Sequence, residues 1–184
     1  MHNKKFLRQH YHNKRNVLSS SELERASQAI LNAIISKKLI EGAFVMLYHS
    51  VSQELPTKHW FDLLSEHQIC VPKVSNDAGH MEAVLWQKNA PLALNKWGIP
   101  EPVNEVIIEP TNITTVIVPL LCFDKLGHRV GYGKGYYDRF LTRCSSSVKT
   151  IGVSYFDAIR VIEGIENTDR ALDAIVTPTK VYSF

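Results

Sequence analysis

The stretch TTVIVPLLCFDKLGHRVGYGKGYYDRFLTRC (114–144) runs from an apolar segment through a cluster of glycines into an amphipathic one. Its first part, TTVIVPLLCF (114–123), is rich in strand formers and reads as a strand; a helix is predicted over 135–144. Beyond it, TIGVSY (150–155) is a further strand and DAIVTP (173–178) a last short one. Toward the N-terminus the same order appears. AFVMLY (43–48) is a strand, SVSQELPT a turn-like link, and Lys58–His67, with Trp60, Phe61, Leu63 and Leu64, a helix; ICVPKV (69–74) is the next strand. A capping-box pattern, Ser21-x-x-Glu24, opens a helix over 20–37 that places Leu23, Ala26, Ile30, Ala33 and Ile34 on one face. This alternation argues for an α/β fold, a single domain over 1–184 with a largely parallel sheet flanked by helices. Met81–Pro110, with Trp86, Trp97 and several prolines, has no clean period and reads as an excursion facing substrate.

Composition bounds what such a fold does. A chain of 184 residues with 45% hydrophobic and 21% charged residues is globular, with a core large enough to carry a cleft. The net charge of +3 suits an anionic ligand and falls short of the footprint of a dedicated nucleic-acid binder. Three cysteines, none in a CxxC or Cys/His pattern, indicate neither a disulfide framework nor a zinc site. No apolar stretch approaches the roughly 20 residues of a membrane-spanning helix. A soluble, cytoplasmic monomer is expected, with neither nucleic acid nor membrane as partner. The opening segment (Lys4, Lys5, Arg8, Lys14, Arg15) has no acid before Glu22, a transit-peptide composition without the long apolar stripe; His10 and His12 within it read as surface.

The densest chemistry lies in Gly127–Arg139. Its glycines allow backbone N–H groups to turn toward a phosphate, and the helix start that follows adds unpaired N–H groups. The dinucleotide fingerprint fails because Tyr136 replaces the third glycine, and the Walker pattern fails because Gly135 follows Lys134. A tight glycine hairpin is the structural alternative, weakened by the crowding of Arg129, Lys134 and Arg139. Asp138 among these cations is either a magnesium ligand or an ion-pair partner of Arg139 or Arg129. Asp169 and Asp173 would share a face if their turn is helical, one of them completing the metal's surroundings; Asp169 equally suits an N-cap. Glu54, in the loop after AFVMLY, stands where open α/β sheets place ligand groups. Tyr136, Tyr137, Trp86 and Trp97 are either an aromatic wall or packing.

The segment VPLLCFDKLGHRVGYGKGYYDRFL (118–141) resembles the signature of the 5-formyltetrahydrofolate cyclo-ligase family. The likeness extends to Lys4-x-x-x-Arg8, YHSVSQELPT with Glu54, VPKV, NKWGIPEP at 95–102 and TDRALDAIVT. It implies a fold similar to that of the sugar-phosphate isomerases and CoA-transferases. It also implies ATP- and Mg²⁺-dependent closure of 5-formyltetrahydrofolate to 5,10-methenyltetrahydrofolate, with release of ADP and phosphate. On this resemblance, Lys4, Arg8, Arg129, Gly131, Tyr132, Gly133, Lys134, Gly135, Tyr136 and Tyr137 would hold ATP. Glu54, Tyr137, Trp97 and His49 would contact the folate, and Asp138 and Asp169 would serve magnesium. No covalent enzyme nucleophile is implied, because phosphorylating the formyl oxygen itself creates the leaving group. From the loop alone, an ATP-dependent kinase of another small acceptor and a non-catalytic nucleotide-binding module remain as alternatives.

Overall fold

The computed structural model describes residues 3–74, 80–95, 98–103 and 106–184. Along the chain come α1 (Lys4–Asn16), α2 (Ser20–Ser36), β1 (Phe44–Met46), α3 (Trp60–Leu63), β2 (Gln68–Val74) and β3 (Met81–Leu85). Next are β4 (Leu92–Leu94), β5 (Pro100–Pro102), β6 (Ile107–Ile108), β7 (Thr115–Pro119), β8 (Cys122–Phe123) and β9 (Arg129–Val130). Last come α4 (Tyr136–Arg143), β10 (Lys149–Val153), β11 (Ala174–Val176) and β12 (Val181–Ser183). Eight strands form one sheet in the order β12-β11-β10-β7-β1-β2-β3-β6. Its centre, β11 to β2, is parallel, while β12, β3 and β6 join the edges antiparallel.

Both faces of this sheet are covered, which is why its central strands read as continuous apolar runs. Val116 and Val118 point into one core layer with Met46, Phe140 and Leu141. Ile117 points the other way, into a layer with Val45, Leu47, Ile30, Ile34 and Trp60. Successive side chains alternate between α4 on one side and α2 with α3 on the other.

Several boundaries differ from the sequence reading, each for a local reason. The capping box of α2 is Ser19 with Glu22, two residues before the expected pair: Glu22 N–H donates to Ser19 Oγ at 3.3 Å, and Ser19 N–H to Glu22 Oε2 at 2.8 Å. Consecutive serines offer the motif twice, and the earlier choice lengthens the helix. The helix expected over 58–67 contracts to α3, because the chain turns at Ser65 and His67 to deliver Gln68 to β2. The run 114–123 divides: β7 ends at Pro119, which has no N–H for the ladder, and β8 pairs instead with β9 in a separate ribbon. The segment 81–110 is not wholly an excursion: among the described residues β3 and β6 extend the main sheet, while β4 and β5 pair in a separate two-stranded sheet. Asp169 and Asp173 do not share a helical turn; Asp173 accepts from Thr150 N–H at 2.7 Å and from its hydroxyl at 2.6 Å.

The basic opening segment is a docked helix. Asn3 caps α1, and Leu7 and Tyr11, one turn apart, are buried against Leu121, Cys122, Val130 and Ile162. His10 and His12 lie on the exposed side, as expected. No described helix is long and apolar enough to cross a membrane.

From β1 the chain moves to β2 on one side, and from β7 to β10 on the other. The sheet order therefore reverses between β1 and β7, and the loops leaving their carboxyl ends diverge around a crevice, the usual ligand position of an open α/β sheet. The loop after β1 is tied down by Ser27, which is fully buried in α2. Its hydroxyl accepts from Trp60 Nε1 at 2.8 Å and donates to the Pro56 carbonyl. Ser27→Ala orphans the buried indole N–H and should cost about 1–3 kcal/mol of stability. Urea denaturation checks this, and an unchanged midpoint contradicts it.

Candidate active site

Three segments meet at the crevice: the loop after β1, the loop and helix start after β9, and one face of α1. Residues 4, 8, 11 and 15 of α1 follow helical spacing, so the helix that Leu7 and Tyr11 seat also carries Arg8 and Arg15 to the glycine loop and Lys4 to the last loop. Arg8 Nε donates to the Gly131 carbonyl at 2.9 Å.

Only some of the loop glycines are required by the backbone. Gly133 (φ +84°) and Gly135 (φ +67°) occupy the left-handed region. A Cβ on Gly133 would meet the Arg8 guanidinium at 2.9 Å. At Gly131 a Cβ would meet nothing within 4 Å, so this residue borders open space. Gly135 is the N-cap of α4 and offers no side-chain cap, which leaves first-turn N–H groups for a ligand.

The two aspartates expected at a metal are both paired with cations. Arg129 Nη2 donates to Asp138 Oδ1 at 2.6 Å, the ion pair already weighed as the alternative, while Arg129 Nη1 donates to the Arg170 carbonyl at 2.7 Å. Lys4 Nζ pairs with Asp169 Oδ2, joining the first helix to the last loop. Burial pushes the Asp169 carboxyl up, but the Lys4 ammonium, the Glu166 N–H and Arg129 outweigh it and hold the group below the usual range. Among the described residues no three His, Cys, Asp or Glu side chains cluster as a protein-only metal site. Two carboxylates are nonetheless a donor set of the kind magnesium accepts, since that ion keeps waters and takes one or two carboxylates together with ligand phosphates.

On the other side of the crevice Glu54 is buried, its Oε2 accepting from Val51 N–H at 3.0 Å. Burial raises its carboxyl pKa against the opposing Val51 N–H, Tyr132 and Arg15. Burial, then the Glu54 charge, pushes the Tyr137 phenol up. The His49 ring stacks on Phe61 at 4.5 Å, burial lowers its pKa, and its Nε2 has no partner among the described residues. Trp86 packs against Phe61, centroids 4.8 Å apart, as part of the core layer. Trp97 lies outside the described residues. Tyr132 and Lys134 are exposed on the loop, and Tyr136 packs part-buried under Arg139, 5.5 Å from ring centroid to guanidinium carbon.

Sequence reasoning missed Arg15, which it saw only as part of a basic segment. Its side chain lies against the Tyr132 and Tyr155 rings, with Cζ 5.6 and 6.0 Å from the centroids. The signal was the helical spacing from Lys4 through Arg8 and Tyr11 to Arg15.

The model of the 5-formyltetrahydrofolate cyclo-ligase family matches residues 1–178. The chain belongs to this family. It is 26% identical over 178 residues to the 5-formyltetrahydrofolate cyclo-ligase of Escherichia coli K12, covering 93% of this chain and 97% of that one. A probable 5-formyltetrahydrofolate cyclo-ligase of Schizosaccharomyces pombe is 33% identical over 111 residues, 53% of this chain and 54% of the relative. The NMR structure of Aquifex aeolicus 5,10-methenyltetrahydrofolate synthetase superposes with a TM-score of 0.83 at 28% identity, covering 98% of this chain and 92% of that one. Membership decides among the three readings of the loop: the protein is an enzyme, a ring-forming ligase of folate one-carbon metabolism.

The Lys4–Asp169 pair gives a pH-dependent consequence. A carboxyl held below its unfolded pKa stabilises the fold above that value and loses the contribution as pH falls through the folded one. Asp169→Asn should therefore be less stable than the parent at pH 7, with the deficit shrinking as pH falls below the aspartate reference of 3.8. Denaturation midpoints across that range check it; a deficit independent of pH contradicts the pairing.

Proposed function

We propose that this chain closes 5-formyltetrahydrofolate to 5,10-methenyltetrahydrofolate using ATP, with ADP and phosphate as the other products. The observation that carries the reading is the meeting of a cation-lined glycine loop with a buried carboxylate, Glu54, at the switch point of the sheet, in a chain of this family.

The chemistry needs two adjacent compartments. A formamide oxygen is a weak nucleophile and a poor leaving group. Transfer of the γ-phosphoryl group onto it makes a leaving group, after which N10 attacks the formyl carbon and phosphate departs with the oxygen. Positioning and charge neutralisation supply most of such a reaction.

In this reading Lys4, Arg8 and Arg129 neutralise the ATP phosphates while the backbone of Gly131–Tyr137 and the first turn of α4 donate to them. Lys134, exposed on the loop, reaches the phosphates from the solvent side. Asp138 and Asp169 are the carboxylates that would hold magnesium, directly or through water, and the ion when bound would offset phosphate charge. Glu54, deep in the second compartment, accepts from N–H groups of the pterin. Tyr137 forms its wall beside the loop, and His49, stacked on Phe61, lines the floor. Trp97 is a candidate for the same pocket.

Incubation with 5-formyltetrahydrofolate, ATP and Mg²⁺ should yield the absorbance of the methenyl product. Glu54→Gln should raise the KM for folate about 10-fold or more, as loss of a charged hydrogen bond does, with the KM for ATP nearly unchanged. Arg8→Ala should show the converse. Equal effects on both substrates, or no product from the parent enzyme, contradict the assignment.

A further inference from the structure

Arg15 is the most buried basic side chain in the crevice, only 4% exposed, yet its Nη2 has no hydrogen-bond partner among the described residues. An unmet donor on a buried charge is costly and calls for a partner, which a ligand in the crevice would supply. The Tyr155 hydroxyl beside it is unpartnered in the same way.

The surroundings say which ligand atom that is. Arg15 lies over the ring of Tyr132, the residue between Gly131 and Gly133, and so flanks the loop whose other side Arg8 holds. The charge of Arg15 also acts on Glu54 in the folate compartment. In the proposed reading Arg15 therefore stands between the loop that would hold ATP and the carboxylate that would hold the folate, where the transferred group would pass. A cation on the formyl oxygen would withdraw the electron pair needed for attack, whereas one on the phosphoryl oxygens stabilises charge that develops there.

We propose that Arg15 is a further catalytic residue, its guanidinium donating to the oxygens of the γ-phosphoryl group during transfer from ATP to the formyl oxygen. This rests on the cyclo-ligase reading. In that step a bond forms between the formyl oxygen and the γ-phosphorus, the bond from phosphorus to the β–γ bridging oxygen breaks, and its electron pair leaves with ADP. N10 then adds to the formyl carbon, the carbon–oxygen bond breaks, phosphate leaves, and the N10 proton is lost to phosphate or solvent. Arg15 exchanges no atom or electron; it binds the transferred group more tightly in flight than at rest, which lowers the barrier without tightening either substrate.

The test is steady-state kinetics of Arg15→Ala and Arg15→Lys with 5-formyltetrahydrofolate, ATP and Mg²⁺, alongside thermal denaturation. The parent enzyme forms product if the cyclo-ligase reading holds; if it does not, that reading fails whatever the variants do. With an active parent, kcat should fall about 10²- to 10³-fold in Arg15→Ala, the scale of losing one transition-state donor, with both KM values within about 3-fold. Added guanidinium or methylguanidinium should restore part of kcat, which a merely structural loss would not allow. Arg15→Lys keeps the stem and charge without the planar fork and should retain a folded protein with kcat reduced at least about 10-fold, even if Arg15→Ala does not fold. A kcat within about 3-fold of the parent in Arg15→Lys, or a loss confined to the KM for folate, overturns the proposal.

Discussion

Parallel pairing of β1 with β7, Val45 against Thr115 and Met46 against Val116, is the constraint on which the rest of the molecule depends. These two strands head opposite halves of the sheet, so their following loops part and leave a crevice at the carboxyl edge. Everything of chemical interest is hung there. The loop after β1 supplies His49 and Glu54, and the chain after β7 supplies the β8–β9 ribbon and the glycine loop. The sheet itself is ordinary, buried on both faces by α2, α3 and α4, and its rigidity lets short loops act as fixed positions.

A second constraint sits on top of the first. Leu7 and Tyr11 seat the helix α1 on the β8–β9 ribbon. That seat converts a run of basic residues into a directed set of cations. Lys4 reaches Asp169 in the last loop, Arg8 reaches the Gly131 carbonyl, and Arg15 reaches the Tyr132 and Tyr155 rings. The small net charge of the chain says little about this. Its placement along one helical face says a great deal, because buried or half-buried cations converge on one crevice while the compensating aspartates stand beside them.

Much of this was legible in the sequence, and the limits are physical. Strands such as 43–48 and 150–155 stand out because burial on both faces demands continuous apolar residues. The glycine loop stands out because left-handed backbone at Gly133 and Gly135 restricts the residue type. What escaped depends on choices between equivalent local options or on distant partners. The cap of α2 had two equivalent serine–glutamate pairs to use. The break in 114–123 follows from Pro119 meeting the end of its ladder, and the choice of Arg129 rather than Arg139 as the partner of Asp138, open in the sequence, from the curl of the chain between β9 and α4. Arg15 was invisible as a site residue because its significance lies in burial against Tyr132 and Tyr155, which only the docked helix creates.

In the proposed reaction the crevice holds the formyl oxygen of one substrate in line with the γ-phosphorus of the other. The most direct measurement of this is the fate of ¹⁸O placed in the formyl group of 5-formyltetrahydrofolate during turnover with ATP. Phosphorylation of the formyl oxygen requires one labelled oxygen in the released inorganic phosphate, detected by mass spectrometry, for each methenyl product formed. Label appearing in water, with none in phosphate, would contradict it.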